Sequence, residues 1–337
     1  MKHIITGGDG FLGTELTRKL VKAGEKVVIC DIKQTLASGI YENKELVTFI
    51  KLDVTQPNAF EQLDIADDDV IYHFAARLLM PILPRSQRKD AFWQDLYVGT
   101  DNLLNHMEKN GLKRLVYFTT DMVYGHTVHH PRFEDHPRAP LGPYGNAKYQ
   151  SELLCEKFRE RGINITIFRP RLIIGPGRLG ILEKLFKAVD RNLPVPTIGS
   201  GKNFYQFISV SDCANACIAA VKAGIPSDTY NLGSQNPPTV NALLKKLIDE
   251  AGSRSFLLPT PAPLVKLALG FFDRIGAPIM DPEQYMIADE TCVLDVSKAE
   301  KDLGWVPEDD DVSMLLQAYR SYRNPVPLSS DSPLETT

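Results

Sequence analysis

The run Lys2-His3-Ile4-Ile5 passes directly into Thr6-Gly7-Gly8-Asp9-Gly10-Phe11-Leu12-Gly13, and a helical pattern follows over Leu12–Lys22. Gly7, Gly10 and Gly13 stand at three-residue intervals. Gly7 permits a tight turn at a strand end, Gly10 lets the backbone approach an anion, and Gly13 lets the helix pack closely on the strand. The helix then turns its unbonded N–H groups and positive dipole end toward that anion. Strand, glycine turn and helix in this order form the opening unit of a parallel α/β sheet that holds a pyrophosphate.

The next hundred residues extend the same alternation. Strands are expected at His3–Ile5, Lys26–Cys30, Thr48–Leu52, Val70–Phe74, Arg114–Phe118 and Ile163–Phe168, with helices at Ala59–Leu63, Asp95–Asn110 and Tyr144–Arg161 between them. Short connections of this kind imply an α/β fold, a Rossmann-type doubly wound parallel sheet covered on both faces. The pattern changes after Arg169-Pro170, where segments rich in Gly and Pro break the helices. The reading is a dinucleotide-binding domain over 1–170, rejoined by about 203–234. A smaller C-terminal substrate-binding lobe takes 171–202 and 235–323, and 324–337 is a disordered tail.

Composition excludes several classes. A net charge of -4 over 337 residues gives no footprint for nucleic acid or a membrane surface, although it says nothing of how charge is distributed. No leader and no spanning segment are expected, and Leu264–Phe272 reads as an amphipathic helix or, less readily, an interfacial one. Five scattered cysteines make no disulfide framework and suit a reducing, cytoplasmic setting. Cys213 and Cys217 read as buried apolar residues. His126, His129, His130 and His136 lack the partners of a known metal spacing, so no metal is expected.

Asp31 ends the second strand, eighteen residues beyond Gly13. A carboxylate there accepts hydrogen bonds from both adenosine ribose hydroxyls and repels a 2'-phosphate, which favours NAD over NADP; nearby Lys33 softens that preference. Asp53-Val54 closes the third strand, where an acid can reach the adenine amino group or simply form a solvated turn. Tyr144-Gly145-Asn146-Ala147-Lys148 places a phenol and an ammonium one helical turn apart. A free phenol titrates near about 10, and an adjacent ammonium favours the phenolate. The pair is an acid/base for a carbon that exchanges hydride. Thr120, at the end of the fifth strand, can hydrogen-bond the reacting oxygen, or can merely end the strand.

The glycine loop, Asp31, His73-Phe74-Ala75-Ala76, Thr120 with Val123-Tyr124-Gly125, the Tyr-Lys pair and Arg169-Pro170 together resemble the extended short-chain dehydrogenase/reductases. Within them the chain is similar to the NAD-dependent epimerase/dehydratase family acting on nucleotide sugars. The resemblance covers about residues 1–235, and Asp295–Ala299 with Leu303–Pro307 resembles the family's ending. It implies Thr120, Tyr144 and Lys148 as catalytic. For NAD it implies contacts from Gly7, Gly10, Phe11, Leu12, Gly13, Asp31, Ile32, Asp53, Val54, Phe74, Ala75, Ala76, Tyr144, Lys148 and Pro170. It also suggests a homodimer through the helices at 95–110 and 144–161.

Departures narrow the chemistry. The family's 4,6-dehydratases carry Thr-Asp-Glu where this chain has Thr120-Asp121-Met122. Methionine cannot take a proton, so dehydration is disfavoured, and decarboxylation, whose enzymes usually keep that Glu, loses weight too. Asp121 remains as a substrate contact or a turn residue. Many relatives grip a phosphate with an Arg near Gln206; here Arg171 and Arg178 could replace it or lie idle. Arg77 opens an apolar loop, Leu78–Pro84, that caps the substrate, meets another subunit or belongs to the core. Leu96 stands where relatives place Asn, without an evident reason. The expected activity is NAD-dependent epimerisation of a nucleotide sugar, at C4, through a transient keto intermediate. The alternative is net oxidation or reduction of a keto sugar, a sterol-like alcohol or another hydroxyl substrate, and a catalytically silent NAD-binding regulator stands third.

Overall fold

The computed structural model describes residues 1–34, 43–79, 82–177, 180 and 182–324. Arg178, Met80 and Pro81 lie outside the described residues, as does all but the first residue of the expected tail. Strand β1 (Lys2–Thr6) feeds α1 (Phe11–Lys22), and β2 (Lys26–Asp31), β3 (Val47–Lys51) and β4 (Val70–His73) follow. Next come α2 (Arg85–Phe92), a π-helical turn over Trp93–Val98, α3 (Gly99–Lys109) and β5 (Arg114–Phe118). Helix α4 (Pro143–Glu160) leads to β6 (Asn164–Pro170). The second half contains β7 (Leu172–Ile174), α5 (Leu182–Asp190), β8 (Val195–Ile198), β9 (Phe207–Ser209) and α6 (Val210–Lys222). It continues with β10 (Thr229–Leu232), α7 (Val240–Glu250), β11 (Leu257–Thr260) and α8 (Ala262–Arg274). It ends with α9 (Pro282–Tyr285), α10 (Ser297–Leu303) and α11 (Asp311–Arg323).

Seven parallel strands form the main sheet in the order β10-β6-β5-β4-β1-β2-β3. Alternation along each strand divides the core. Ile5, Val27 and Ile29 pack with Leu12, Leu16 and Leu20 of α1 and with Cys213 and Cys217 of α6 on one face. Ile4, Cys30 and Leu115 pack with Leu103 and Met107 of α3 and Phe158 of α4 on the other. Strands covered on both faces read as continuous apolar runs, which is why they were visible in the sequence. The chain moves outward from β1 through β2 and β3, then crosses back to β4. The C-terminal ends of β1 and β4 therefore flank the switch point where such sheets bind ligands.

A third core contains Ile174, Phe186, Leu247 and Met314, and two small two-stranded sheets, β8–β11 and β7–β9, supply some of its residues. Strand β10 joins the main sheet beside β6. Val296, Ala299, Leu303 and Trp305 pack into the first core rather than the lobe. Trp305 Nε1 donates to the Asp212 carbonyl at 3.0 Å, tying that ending to α6. All five cysteines are buried and unpaired.

Candidate active site

The loop after β1 has no room for side chains. Gly7 has φ +67°, and a Cβ there would sit 2.7 Å from the Ala75 backbone nitrogen. A Cβ on Gly13 would meet the Gly7 carbonyl oxygen and Gly8 Cα at 2.5 Å, so Gly13 packs on the loop itself. Gly8, which the spacing did not single out, is equally tight, with the Ile5 carbonyl at 2.8 Å. Gly10 is the N-cap of α1 and supplies no side-chain cap, so the helix start turns its positive dipole end toward an anion. A close backbone cradle at an uncapped helix start fits a pyrophosphate. Beside it, the Phe74 N–H donates to the Thr6 carbonyl at 3.0 Å, and Ala75 and Ala76 continue from β4. Thr6 Oγ1 also bonds His73 at 2.7 Å, and burial pulls the His73 imidazole down to about 3, so it stays neutral at physiological pH.

Asp31 stands at the end of β2, its carboxylate accepting from Asp9 N at 3.2 Å and Ile32 N at 2.8 Å. Partial burial holds that carboxyl above its ordinary value. The Ile32 side chain is exposed. Asp53 folds into a turn, accepting from Thr55 N at 3.0 Å and Thr55 Oγ1 at 2.8 Å. Val54 is buried against Gly99, and its carbonyl accepts from Asn102 at 2.9 Å.

At the C-terminal end of β5, Thr120 caps a short turn over Asp121–Val123 and accepts from Met122 N at 3.3 Å. Tyr144 and Lys148 lie on one face of α4. Lys148 is buried, donates from Nζ to the Phe118 carbonyl at 2.8 Å, and is drawn down to about 8 by burial. Its ammonium thus points at the strand that carries Thr120. The Tyr144 ring meets Phe92 edge-on with centroids 5.5 Å apart, in a cluster with Ala76, Leu79, Leu96 and Ala147. Leu79 therefore serves the packing around Tyr144, and Leu78 is exposed. Leu96 now has a reason too: its side chain packs in that cluster, and its carbonyl accepts from Thr100 Oγ1 at 2.6 Å and from Ser151 Oγ on α4 at 3.1 Å. Pro170 closes β6 beside Leu232 of β10.

Among the described residues expected to meet substrate, Arg77, Asp121, Arg171 and Gln206 are engaged with the protein. Arg171 forms a buried ion pair with Asp121, and fully buried Arg132, unremarked in the sequence, lies 3.9 Å from the same carboxylate. The Gln206 amide donates to the Ser234 carbonyl at 2.7 Å and accepts from Leu294 N at 2.8 Å. Arg77 pairs with Asp95. His126 contacts Glu290 at 2.6 Å, His136 takes the Val128 N–H at 3.0 Å, and His130 stacks on Phe204. Among the described residues no group of His, Cys, Asp and Glu is placed to hold a metal.

Sequence reasoning missed Glu283. Helix α4 starts at Gly142, which has no side chain to cap it. Glu283, buried on α9, accepts from Tyr144 N and Gly145 N at 2.8 Å each. It supplies the cap from 139 residues away, next to Tyr144. Burial pushes its carboxyl up to about 7, against the pull of those two N–H groups. Gly145 must be glycine, since a Cβ would lie 2.8 Å from Glu283 and 2.9 Å from the Met122 carbonyl. The uncapped Gly142-Pro143 start was the available signal.

A parallel sheet with this switch-point loop and a Tyr-Lys helix beside it defines a dinucleotide-dependent enzyme of the extended short-chain type. The description "NAD dependent epimerase/dehydratase family" matches residues 3–233, and the chain belongs to that family. Its cofactor is accordingly NAD. The Sinorhizobium fredii protein y4nG is 30% identical over 95% of this chain and 78% of its own length. Among solved structures, UDP-glucose 4-epimerase of Thermotoga maritima with UDP-glucose superposes with a TM-score of 0.77 at 24% identity, covering 96% of this chain and 99% of that one. UDP-glucuronic acid 4-epimerase of Bacillus cereus with NAD superposes at 0.75 and 22% identity, covering 96% and 99%.

Proposed function

We propose that this protein is a nucleotide-sugar epimerase that inverts C4, working as a homodimer through α3 and α4 in a reducing compartment. One observation carries the reading. Tyr144 and Lys148 stand on α4 beside the strand end that bears Thr120, while Met122 occupies the place of a C5 base. The site is built to oxidise a hydroxyl-bearing carbon and has no group at Met122 to remove a neighbouring proton. Tyr144, as phenolate, takes the proton from the sugar hydroxyl. The Lys148 ammonium favours that phenolate, and Thr120 hydrogen-bonds the oxygen as it becomes a carbonyl. The glycine loop and Asp31 would hold NAD, which would supply reversible hydride chemistry at that carbon. Tyr144 then gives its proton back. The two epimerase structures support C4 and a UDP-sugar as the first substrates to test.

A second reading is net oxidation or reduction of a substrate without a diphosphate. It is favoured by the engagement of Gln206, Arg171 and Arg77 with protein partners. One experiment separates the two. UDP-, GDP-, dTDP- and CDP-sugars are incubated with the NAD-loaded protein, proton NMR follows the sugar, and absorbance follows NADH. Interconversion of C4 epimers without stoichiometric NADH is expected. Stoichiometric NADH would instead establish the second reading, and failure to turn over any nucleotide sugar would sink the first. Light scattering tests the dimer.

A further inference from the structure

Helix α8 turns its apolar side outward. Of its thirteen residues only Ala262 and Asp273 are buried. Leu264, Leu267 and Phe271 recur at helical spacing, and Ile275 just beyond the helix continues the stripe. They are 64%, 69%, 58% and 59% exposed. Phe272, Ile279 and Met286 are exposed beside them. Clustered exposure on this scale marks an interaction surface rather than the usual scatter of single apolar residues.

On the segment that carries the stripe, Pro261 to Pro282, the charges that reach the surface are the basic Lys266 and Arg274. Between Pro261 and Pro282 the only acids are Asp273 and Asp281, and both are buried, Asp273 in an ion pair with Arg88. Arg274 is exposed beside Leu267. Arg85 and Lys89 face both across a cavity of about 660 Å³. Lys184 donates to the Ile279 carbonyl at 2.7 Å and so sits at the far end of the patch. Lys266 pairs with Asp289.

We propose that α8 and the turn after it dock on an anionic lipid bilayer. The stripe enters the headgroup–acyl boundary, and Arg85, Lys89, Lys184 and Arg274 meet the lipid phosphates. No helix among the described residues is long and apolar enough to cross a membrane, so contact is in the plane of the surface. A second copy of the chain is a poorer occupant. A two-fold contact sets the patch against itself, so Arg274 gains no exposed acid from the partner's segment between Pro261 and Pro282. Net charge could not reveal this surface, because the positive charge of the segment is local. The inference is independent of the proposed reaction.

The test is co-sedimentation of the full-length, NAD-loaded protein with vesicles of phosphatidylcholine alone or with about 30% phosphatidylglycerol. Binding is expected only to the anionic vesicles, weakening as salt shortens the screening length. Leu267→Glu/Phe271→Glu should lower the bound fraction about tenfold with NAD binding retained, since both side chains are exposed. Arg85→Glu/Lys89→Glu should lower it too. Absence of binding to anionic vesicles would overturn the proposal. So would equal binding by the Leu267/Phe271 variant, or a dimer that this variant splits while the wild type ignores vesicles, which would assign the face to a second copy.

Discussion

Lys148 decides whether Tyr144 can work as a base near neutral pH. Burial brings its ammonium down to about 8, so the charge that supports the phenolate is lost as pH rises through that value. Turnover should therefore fall on the alkaline side of about pH 8. Lys148→Arg, which cannot be deprotonated, should lower activity yet remove or raise that limb in kcat against pH. Tyr144→Phe should reduce kcat by about 10²–10⁴ with NAD still bound, as measured by steady-state kinetics and a thermal shift. Asp31→Ser should narrow the difference between NAD and NADP in the same thermal assay. Tyr144, Lys148 and Asp31 were legible because their roles follow from local spacing on one helix or one strand end. Gln206 and Arg171 were not, because their partners Leu294 and Asp121 stand 88 and 50 positions away.

Among the elements, α4 shows how a helix start can be built from a distance. Gly142 leaves the first turn uncapped, and Glu283 takes its N–H groups. Glu283→Ala should cost about 1–2 kcal/mol in denaturant unfolding, by loss of a cap and exposure of the vacancy to two buried donors. Glu283→Gln separates shape from charge. The folded carboxyl titrates near about 7 against an ordinary 4.5, so it holds its proton more tightly than in the unfolded chain. Raising the pH through that window removes protons first from the unfolded chain, and stability declines. The wild type should lose stability relative to Glu283→Gln between about pH 4.5 and 7 and track it outside that range. The sequence placed α4 within a residue at each end but could not find α2, whose charged run Arg85–Asp90 shows no amphipathic period. Nor could it find the π-turn over Trp93–Val98, within which the Leu96 carbonyl accepts from Ser151.

Over the whole molecule, the cofactor couples the two sides of the switch point. The loop after β1 and the end of β4 touch where Gly7 meets Ala75. Ligand that binds there only in the folded state should stabilise the chain by about 2.7 kcal/mol at a hundredfold excess over Kd. Calorimetry with added NAD should show that shift, and Gly7→Ala, which drives a Cβ into the Ala75 backbone, should abolish it. The sequence by itself determined the parallel sheet, the glycine loop after its first strand, the acid at the end of β2 and the Tyr-Lys pair on one helix. Each of these depends on periodicity or on spacing within one strand–turn–helix unit, where chain geometry fixes what faces what. Only the tertiary structure decided that Arg171 pairs with Asp121, that Gln206 bonds Ser234 and Leu294, that Glu283 caps α4, and that Val296, Ala299, Leu303 and Trp305 belong to the first core. It also decided that α8 faces outward. An amphipathic period reports an apolar face but not which neighbour covers it, and a polar residue reports a capacity to bond but not whether a distant part of the chain has already met it.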